Sequence, residues 1–103
     1  EAAAVLQQVR AELDELEHAM QTGNTSDCAD EMGDVLFSCV NLARHLHIDP
    51  ETALRQSNNK VTRRICWMEE TLRHRQQQWH GRSVDELEAL WQAAKQALHR
   101  DMG

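Results

Sequence analysis

Tyrosine is absent from this chain, phenylalanine and proline occur once each, and only four glycines punctuate its 103 residues. Sheets of short strands draw on aromatic residues and on frequent turn formers, so the shortage favours helices over strands or disorder. Long apolar runs are missing too. No stretch of about 18 apolar residues, the length that crosses a bilayer, occurs, and nothing resembles a signal peptide. The expected location is the cytoplasm, with no membrane partner. Basic charge is scarce: Lys and Arg number 11 against 17 Asp and Glu, a net charge of −6. Binders of long nucleic acids show a basic excess or stripe, so no nucleic-acid polymer is expected as partner. A small polyphosphate stays open, because bound metal ions add positive charge that a residue count omits. Cysteine is sparse and unpatterned. Cys28, Cys39 and Cys66 have no C-x-x-C spacing and are odd in number, which points to free, mostly buried thiols in a reducing compartment rather than a zinc site.

What is present is helical rhythm. Apolar residues make up 41% of the chain, enough for one core in a single domain spanning residues 1–103, though a chain this small gains from a partner subunit. The pattern begins at once after Glu1 rather than at a Met, as expected of a piece of a longer protein. Val5, Val9, Leu13, Leu16 and Met20 recur at steps of three and four and predict a helix over 2–21. Thr22-Gly23-Asn24-Thr25 breaks it, with Thr25 or Ser26 able to cap a second helix over 27–46. That helix is apolar over more than half its circumference (Met32, Val35, Leu36, Cys39, Val40, Leu42, Ala43, Leu46) and is expected to be the most buried element. Its remaining polar strip is Glu31, Asp34, Ser38, Asn41 and His45. Asp49-Pro50 is a start signal for a third helix over 50–78, with Gly81 as its stop. Ser83 and Glu86 make a capping box for a fourth, in which Val84, Leu87, Trp91, Ala94 and Leu98 form a narrow seam. The fold class is all-α, a four-helix domain.

Two acidic pairs stand out. Glu12 and Glu15 on the first helix, and Glu31 and Asp34 on the second, have three-residue spacing, which places both members on one side of a helix. If the two helices run antiparallel, four carboxylates converge. Such a set suits a hard divalent cation, Mg2+ with Mn2+ as substitute, which takes oxygen ligands and keeps positions open for water and phosphate. Gly33, between the second pair, costs a helix about 1 kcal/mol relative to alanine and suggests that space is needed there.

These motifs also carry a family resemblance. Glu12-x-x-Glu15, a gap of fifteen residues, Glu31-x-x-Asp34, then Asn58-Asn59-Lys60-Val61-Thr62-Arg63-Arg64 and Glu88-Ala89-Leu90-Trp91 resemble the MazG nucleoside triphosphate pyrophosphohydrolases over essentially the whole chain. The resemblance implies a helical domain that dimerises into a bundle. It implies Mg2+-dependent hydrolysis of (deoxy)nucleoside triphosphates to monophosphate and pyrophosphate. It implies metal ligation by Glu12, Glu15, Glu31 and Asp34, phosphate contact by Lys60 and Arg64, and an active-site place for Trp91, with Asn58 and Arg63 beside them as substrate contacts. Many members carry two adjacent glutamates where this chain has Ala11-Glu12, and a lysine near Gln8.

That chemistry is physically coherent. Water attacking the α-phosphorus requires neutralisation of the triphosphate and of the leaving pyrophosphate. Glu12 or Glu15 is the expected proton acceptor, and Lys60 and Arg64, four apart, present charge and a planar donor fork to the phosphates. Three other readings stay open: a non-catalytic nucleotide- and metal-binding or dimerisation domain marked by Ala11, a narrower dUTP, dCTP or phosphoribosyl-ATP hydrolase of the same architecture, and a plain helical interaction module. Trp91 also lies on the apolar seam, where packing alone would account for it.

Overall fold

The computed structural model describes residues 1–102, with side chains described through His99, and all regular structure among them is α-helical. The helices are α1 (Ala2–Thr22), α2 (Thr25–His45), α3 (Pro50–His74) and α4 (Val84–Met102). Contacts divide the chain into two compact units, one running through Ala53 and the other beginning at Leu54.

In the first unit α1 packs on α2. Glu1 opens α1 by accepting a hydrogen bond from the Ala4 N–H at 3.0 Å. Gly23 closes it, because its φ of 73° is left-handed and costs glycine nothing, and its N–H returns to the Met20 carbonyl. The cap of α2 is Asn24, not Thr25 or Ser26: its Oδ1 accepts from the Asp27 N–H at 3.1 Å, so the helix starts two residues earlier than its apolar pattern indicates. Val9, Ala19, Val35 and Ser38 are buried. The expectation that α2 is the most buried element fails here. Met32, Leu36, Phe37 and Val40 are exposed, Phe37 at 74%. A helix that packs along one seam can cover only the residues on that seam, and the pattern of α2 is wider than the seam.

The Leu46 turn ends α2 with His47 at φ 60° and hydrogen bonds from Ile48 N–H to the Ala43 carbonyl and from His47 N–H to the Arg44 carbonyl. Those two bonds make the paired C-terminal closure usually built on glycine. Asp49 then caps α3 as its sequence indicates, accepting from the Glu51 N–H and the Thr52 hydroxyl.

In the second unit Met68 and Leu72 of α3 and Leu90 and Ala94 of α4 form the core, with Ile65, Trp67, Leu87 and Trp91 packed against it. Each large apolar side chain buried here contributes roughly 1.5–3 kcal/mol. The expected reach of α3 to residue 78 is too long. Gln76 takes φ 58°, and Gln77 and Gln76 donate to the Leu72 and Arg73 carbonyls, so the helix closes after His74 and Gly81 serves the following loop instead. Ser83 and Glu86 form the capping box of α4: Glu86 N–H donates to the Ser83 hydroxyl, and Ser83 N–H donates to the Glu86 carboxylate. The three cysteines are free, as expected, yet Cys39 and Cys66 are exposed and only Cys28 is half-buried, so "mostly buried" does not hold. Among the described residues no helix is long and apolar enough to cross a membrane.

Candidate functional site

The α1–α2 pairing brings residues far apart in sequence to one point. One carboxylate oxygen each from Glu12, Glu31 and Asp34 lies within 4.8 Å of the others. Glu31 and Asp34 are neighbours because they are three apart on α2, and Glu12 meets them across the helix–helix contact. Glu12 is also held by its own helix, its Oε1 accepting from Gln8 Nε2 at 2.9 Å. Glu15 stands outside this trio as an exposed carboxylate on α1, near enough for its charge to act on Glu31. The Glu31 carboxyl is held above the usual carboxylate range, first by partial burial and then by the negative charges of Asp34, Glu15, Asp30 and Glu12. A carboxyl held back from ionising by burial and by neighbouring negative charge is relieved by a cation.

Beside the trio a cleft of about 300 Å3 is lined by Val5, Gln8 and Glu12 of α1 and by Asp34, Phe37, Ser38 and Asn41 of α2. Ser38 and Asn41 lie on the polar strip that the sequence reveals. Val5 and Phe37 carried no chemical signal of their own, and Gln8 was marked only as lying near a lysine of the related proteins; the packing of the two helices brings all three in. His45, on the same strip, lines a different cleft with Asn41, Arg44 and His47. Gly33 is open: a Cβ added there would meet nothing within 4 Å, so within this chain no neighbour needs its missing side chain.

The basic residues lie in the second unit. Lys60, Arg63 and Arg64 of α3 line a cleft of about 210 Å3 with Lys95, Leu98 and His99 of α4. The Arg64 guanidinium sits over the Trp91 ring, 5.2 Å from its centroid, a cation–π contact. Trp91 is half-buried and packs on the core as well, so its place on the seam and its contact with Arg64 coexist. Asn58 is exposed on α3 and is not among the residues lining this cleft. Lys95 was legible only as one more charge on α4; its spacing of four from Trp91 was the available signal. Trp67 packs on the core, while Trp79 lines a separate apolar cleft of about 290 Å3 with Ile65, Met68, Val84, Leu87, Glu88 and Trp91.

A family model described as the MazG nucleotide pyrophosphohydrolase domain matches residues 1–68. That stretch contains the whole acidic trio and the Lys60–Arg64 set. The chain is 35% identical over 91 residues to the nucleoside triphosphate pyrophosphohydrolase/pyrophosphatase MazG of Thermotoga maritima, covering 88% of this chain and 34% of that protein. It is 34% identical over 93 residues to the nucleoside triphosphate pyrophosphohydrolase of Escherichia coli K12, covering 88% of this chain and 35% of the relative. YabN of Bacillus subtilis is 39% identical over 70 residues, which are 68% of this chain and 14% of YabN. The chain thus spans about a third, or less, of the length of these curated relatives.

Proposed function

This chain belongs to the MazG nucleotide pyrophosphohydrolase domain family, and from that premise we propose that it hydrolyses (deoxy)nucleoside triphosphates to nucleoside monophosphate and pyrophosphate with the help of Mg2+. The observation that carries the reading is the meeting of Glu12, Glu31 and Asp34, three oxygen donors from two helices within 4.8 Å of one another. Their chemistry fits a hard cation. All three are carboxylates, Asp34 is exposed, and the adjoining cleft leaves room for water and phosphate. Glu12, Glu31 and Asp34 would hold the ion, Glu15 would join them or act beside them, and Mn2+ is the expected substitute.

When bound, Mg2+ supplies positive charge against the phosphate oxygens and promotes ionisation of water. The chain's own groups do the rest. Gln8 holds the Glu12 carboxylate in orientation toward the site. A water oxygen bonds to the α-phosphorus, the bond from that phosphorus to the bridging oxygen breaks, and pyrophosphate leaves with the electron pair. The water's proton passes to a carboxylate oxygen. Glu15, outside the trio, is one candidate for this, and Glu12 is the other. Lys60, Arg63 and Arg64 are the proposed phosphate ligands, with Asn58 and Trp91 as further substrate contacts. We place the activity in the cytoplasm, where the free thiols Cys28, Cys39 and Cys66 suit a reducing environment. The net charge of −6 supports a small substrate over a nucleic-acid polymer.

A homodimer is part of this reading. Leu6, Leu13 and Met20 of α1 and Met32, Leu36 and Val40 of α2 are exposed large hydrophobics, more than solitary surface residues account for, and a second copy would cover them.

The test is turnover of a panel of ribo- and deoxynucleoside triphosphates with and without Mg2+, products separated by chromatography. Monophosphate and pyrophosphate, formed only with Mg2+, are expected. Diphosphate and orthophosphate would overturn the bond assignment. Absence of turnover with Mg2+-dependent nucleotide binding intact would favour a non-catalytic domain, with Ala11 beside Glu12 as its mark.

A further inference from the structure

Two clefts of the first unit adjoin, because Asn41 lines both: the one of about 300 Å3 that holds Glu12 and Asp34, and one of about 360 Å3 lined by Asn41, Arg44, His45 and His47. Asp34, Asn41 and His45 follow one another on α2 at steps of seven and four, so they share one stripe of the helix. At about 1.5 Å per residue, His45 lies roughly 16 Å along the helix from Asp34. Among the described residues none of the four side chains of the second cleft takes part in a hydrogen bond or ion pair, which leaves their polar atoms available to a ligand.

His47 departs from the ordinary rule for a helix end. It closes α2 at φ 60°, a left-handed conformation that penalises residues with a Cβ and that glycine takes freely. Gln76 closes α3 in the same way, at φ 58°, yet it lines neither of these clefts nor the basic one. At His47 alone of the two, the left-handed residue brings hydrogen-bonding atoms to a cleft next to the acidic trio, and such an outlier is physical ground for a functional reading. The groups it joins are mixed in kind. Asn41 offers an amide oxygen and an NH2, a neutral imidazole one donor and one acceptor, and Arg44 a planar guanidinium that stacks on rings. Phosphate oxygens only accept hydrogen bonds, whereas base edges and sugar hydroxyls both donate and accept, and bases stack on His and Arg.

We infer that this second cleft receives the nucleoside half of the substrate, with His45 and His47 as the residues that hydrogen-bond its base or sugar and so set its selectivity. The inference deepens the proposed function and rests on it: with the α-phosphorus beside Glu12 and Asp34, the sugar begins one ester oxygen away, and the adjoining cleft is open to it. Its consequence is that discrimination among nucleosides lies in the turn after α2. It is separate from the carboxylates that would hold the metal and can be altered without touching them.

The test is calorimetric titration of the full chain in Mg2+ with adenosine and uridine triphosphate analogues, in which a methylene group replaces the oxygen between the α and β phosphorus atoms, and with inorganic tripolyphosphate. His47→Gly should weaken binding of at least one analogue about three- to tenfold, the worth of one hydrogen bond, and leave tripolyphosphate unchanged. His45→Ala should show the same pattern. His47→Asn, which tolerates left-handed backbone and keeps a donor and an acceptor, should restore part of the loss. The melting temperature of His47→Gly should be no lower than the wild type's, since glycine suits φ 60°, so a weaker affinity reports a lost contact rather than a lost fold. An equal loss with tripolyphosphate would make the cleft a phosphate site and overturn the inference. So would unchanged affinity for both analogues in a His45→Ala/His47→Gly double variant, or no analogue binding by the wild type. The two readings fail separately. Nucleotide turnover with analogue binding indifferent to both histidines sinks the inference and leaves the function standing, while histidine-dependent binding with no turnover of any natural nucleotide does the reverse.

Discussion

Glu31 is the residue on which the acidic site turns, since it is partly buried, flanked by Asp34 three residues on, and faced by Glu12 across the helix contact. Its carboxyl is raised chiefly by burial and then by Asp34, so the site gains by losing charge as well as by gaining a cation. A Glu31→Ala/Asp34→Ala double variant should therefore lose metal-dependent turnover without losing helix. Loss of an outer-sphere partner of a metal ligand costs about 10–100-fold in such sites, and loss of two ligands should exceed that. Its melting temperature in metal-free buffer should be no lower than the wild type's, because two mutually repelling charges are gone. Full turnover by this variant would remove the pair from the site. Gly33, between them, gives the opposite kind of prediction. A methyl group there meets nothing within 4 Å, and alanine is favoured over glycine by about 0.5–1 kcal/mol in a helix interior. Gly33→Ala should raise thermal stability by that amount. A fall in turnover with the gain in stability would mean that substrate or a second subunit approaches the backbone at Gly33.

At the scale of elements, stability rests on helix ends as much as on the core. The start of α4 is fixed by the reciprocal bonds of Ser83 and Glu86, supported by Arg82 on the same carboxylate at 3.2 Å. Ser83→Ala removes one of the reciprocal bonds and should cost about 1 kcal/mol in chemical denaturation. The Glu86 carboxyl is held below its ordinary value, first by the Ser83 N–H, then by the Ser83 hydroxyl and by Arg82. A depressed folded pKa stabilises the fold above the unfolded carboxyl's pKa, and that contribution fades as pH falls through the folded value. Glu86→Gln should accordingly be less stable than wild type near neutrality, and the difference should narrow in acid. A gap that stays constant with pH would show that the carboxylate's charge is not what secures the cap.

For the whole molecule the decisive surface is the apolar side of α1 and α2 that the chain leaves uncovered. Leu36 is 60% exposed and Met20 65%, values that suit an interface better than a solvent face. Leu36→Asp should barely change the stability of an isolated chain, since little of the side chain is buried in it. If two copies associate through this face, the same substitution should shift sedimentation from dimer to monomer, and an unchanged dimer would place the contact elsewhere.

Much of this was already written in the order of residues. Helical class, four elements, the Asp49-Pro50 and Ser83/Glu86 starts, and the pairing of Glu31 with Asp34 follow from local rules acting over three or four positions, which any helix obeys wherever it packs. Boundaries were less legible where a left-handed residue other than glycine closed a helix. Nothing in the side chain of Gln76 announces φ 58°, so α3 read four residues too long. The apolar width of α2 showed how much surface wants cover, and only the α1 contact decided which part receives it. The same holds for the sites. Glu12 meets Glu31 and Asp34, and Lys95 meets the basic set of α3, through side chains nineteen or more residues apart along the chain. Periodicity fixes which face of its own helix a residue occupies, whereas which faces meet is settled by packing, and packing is tertiary.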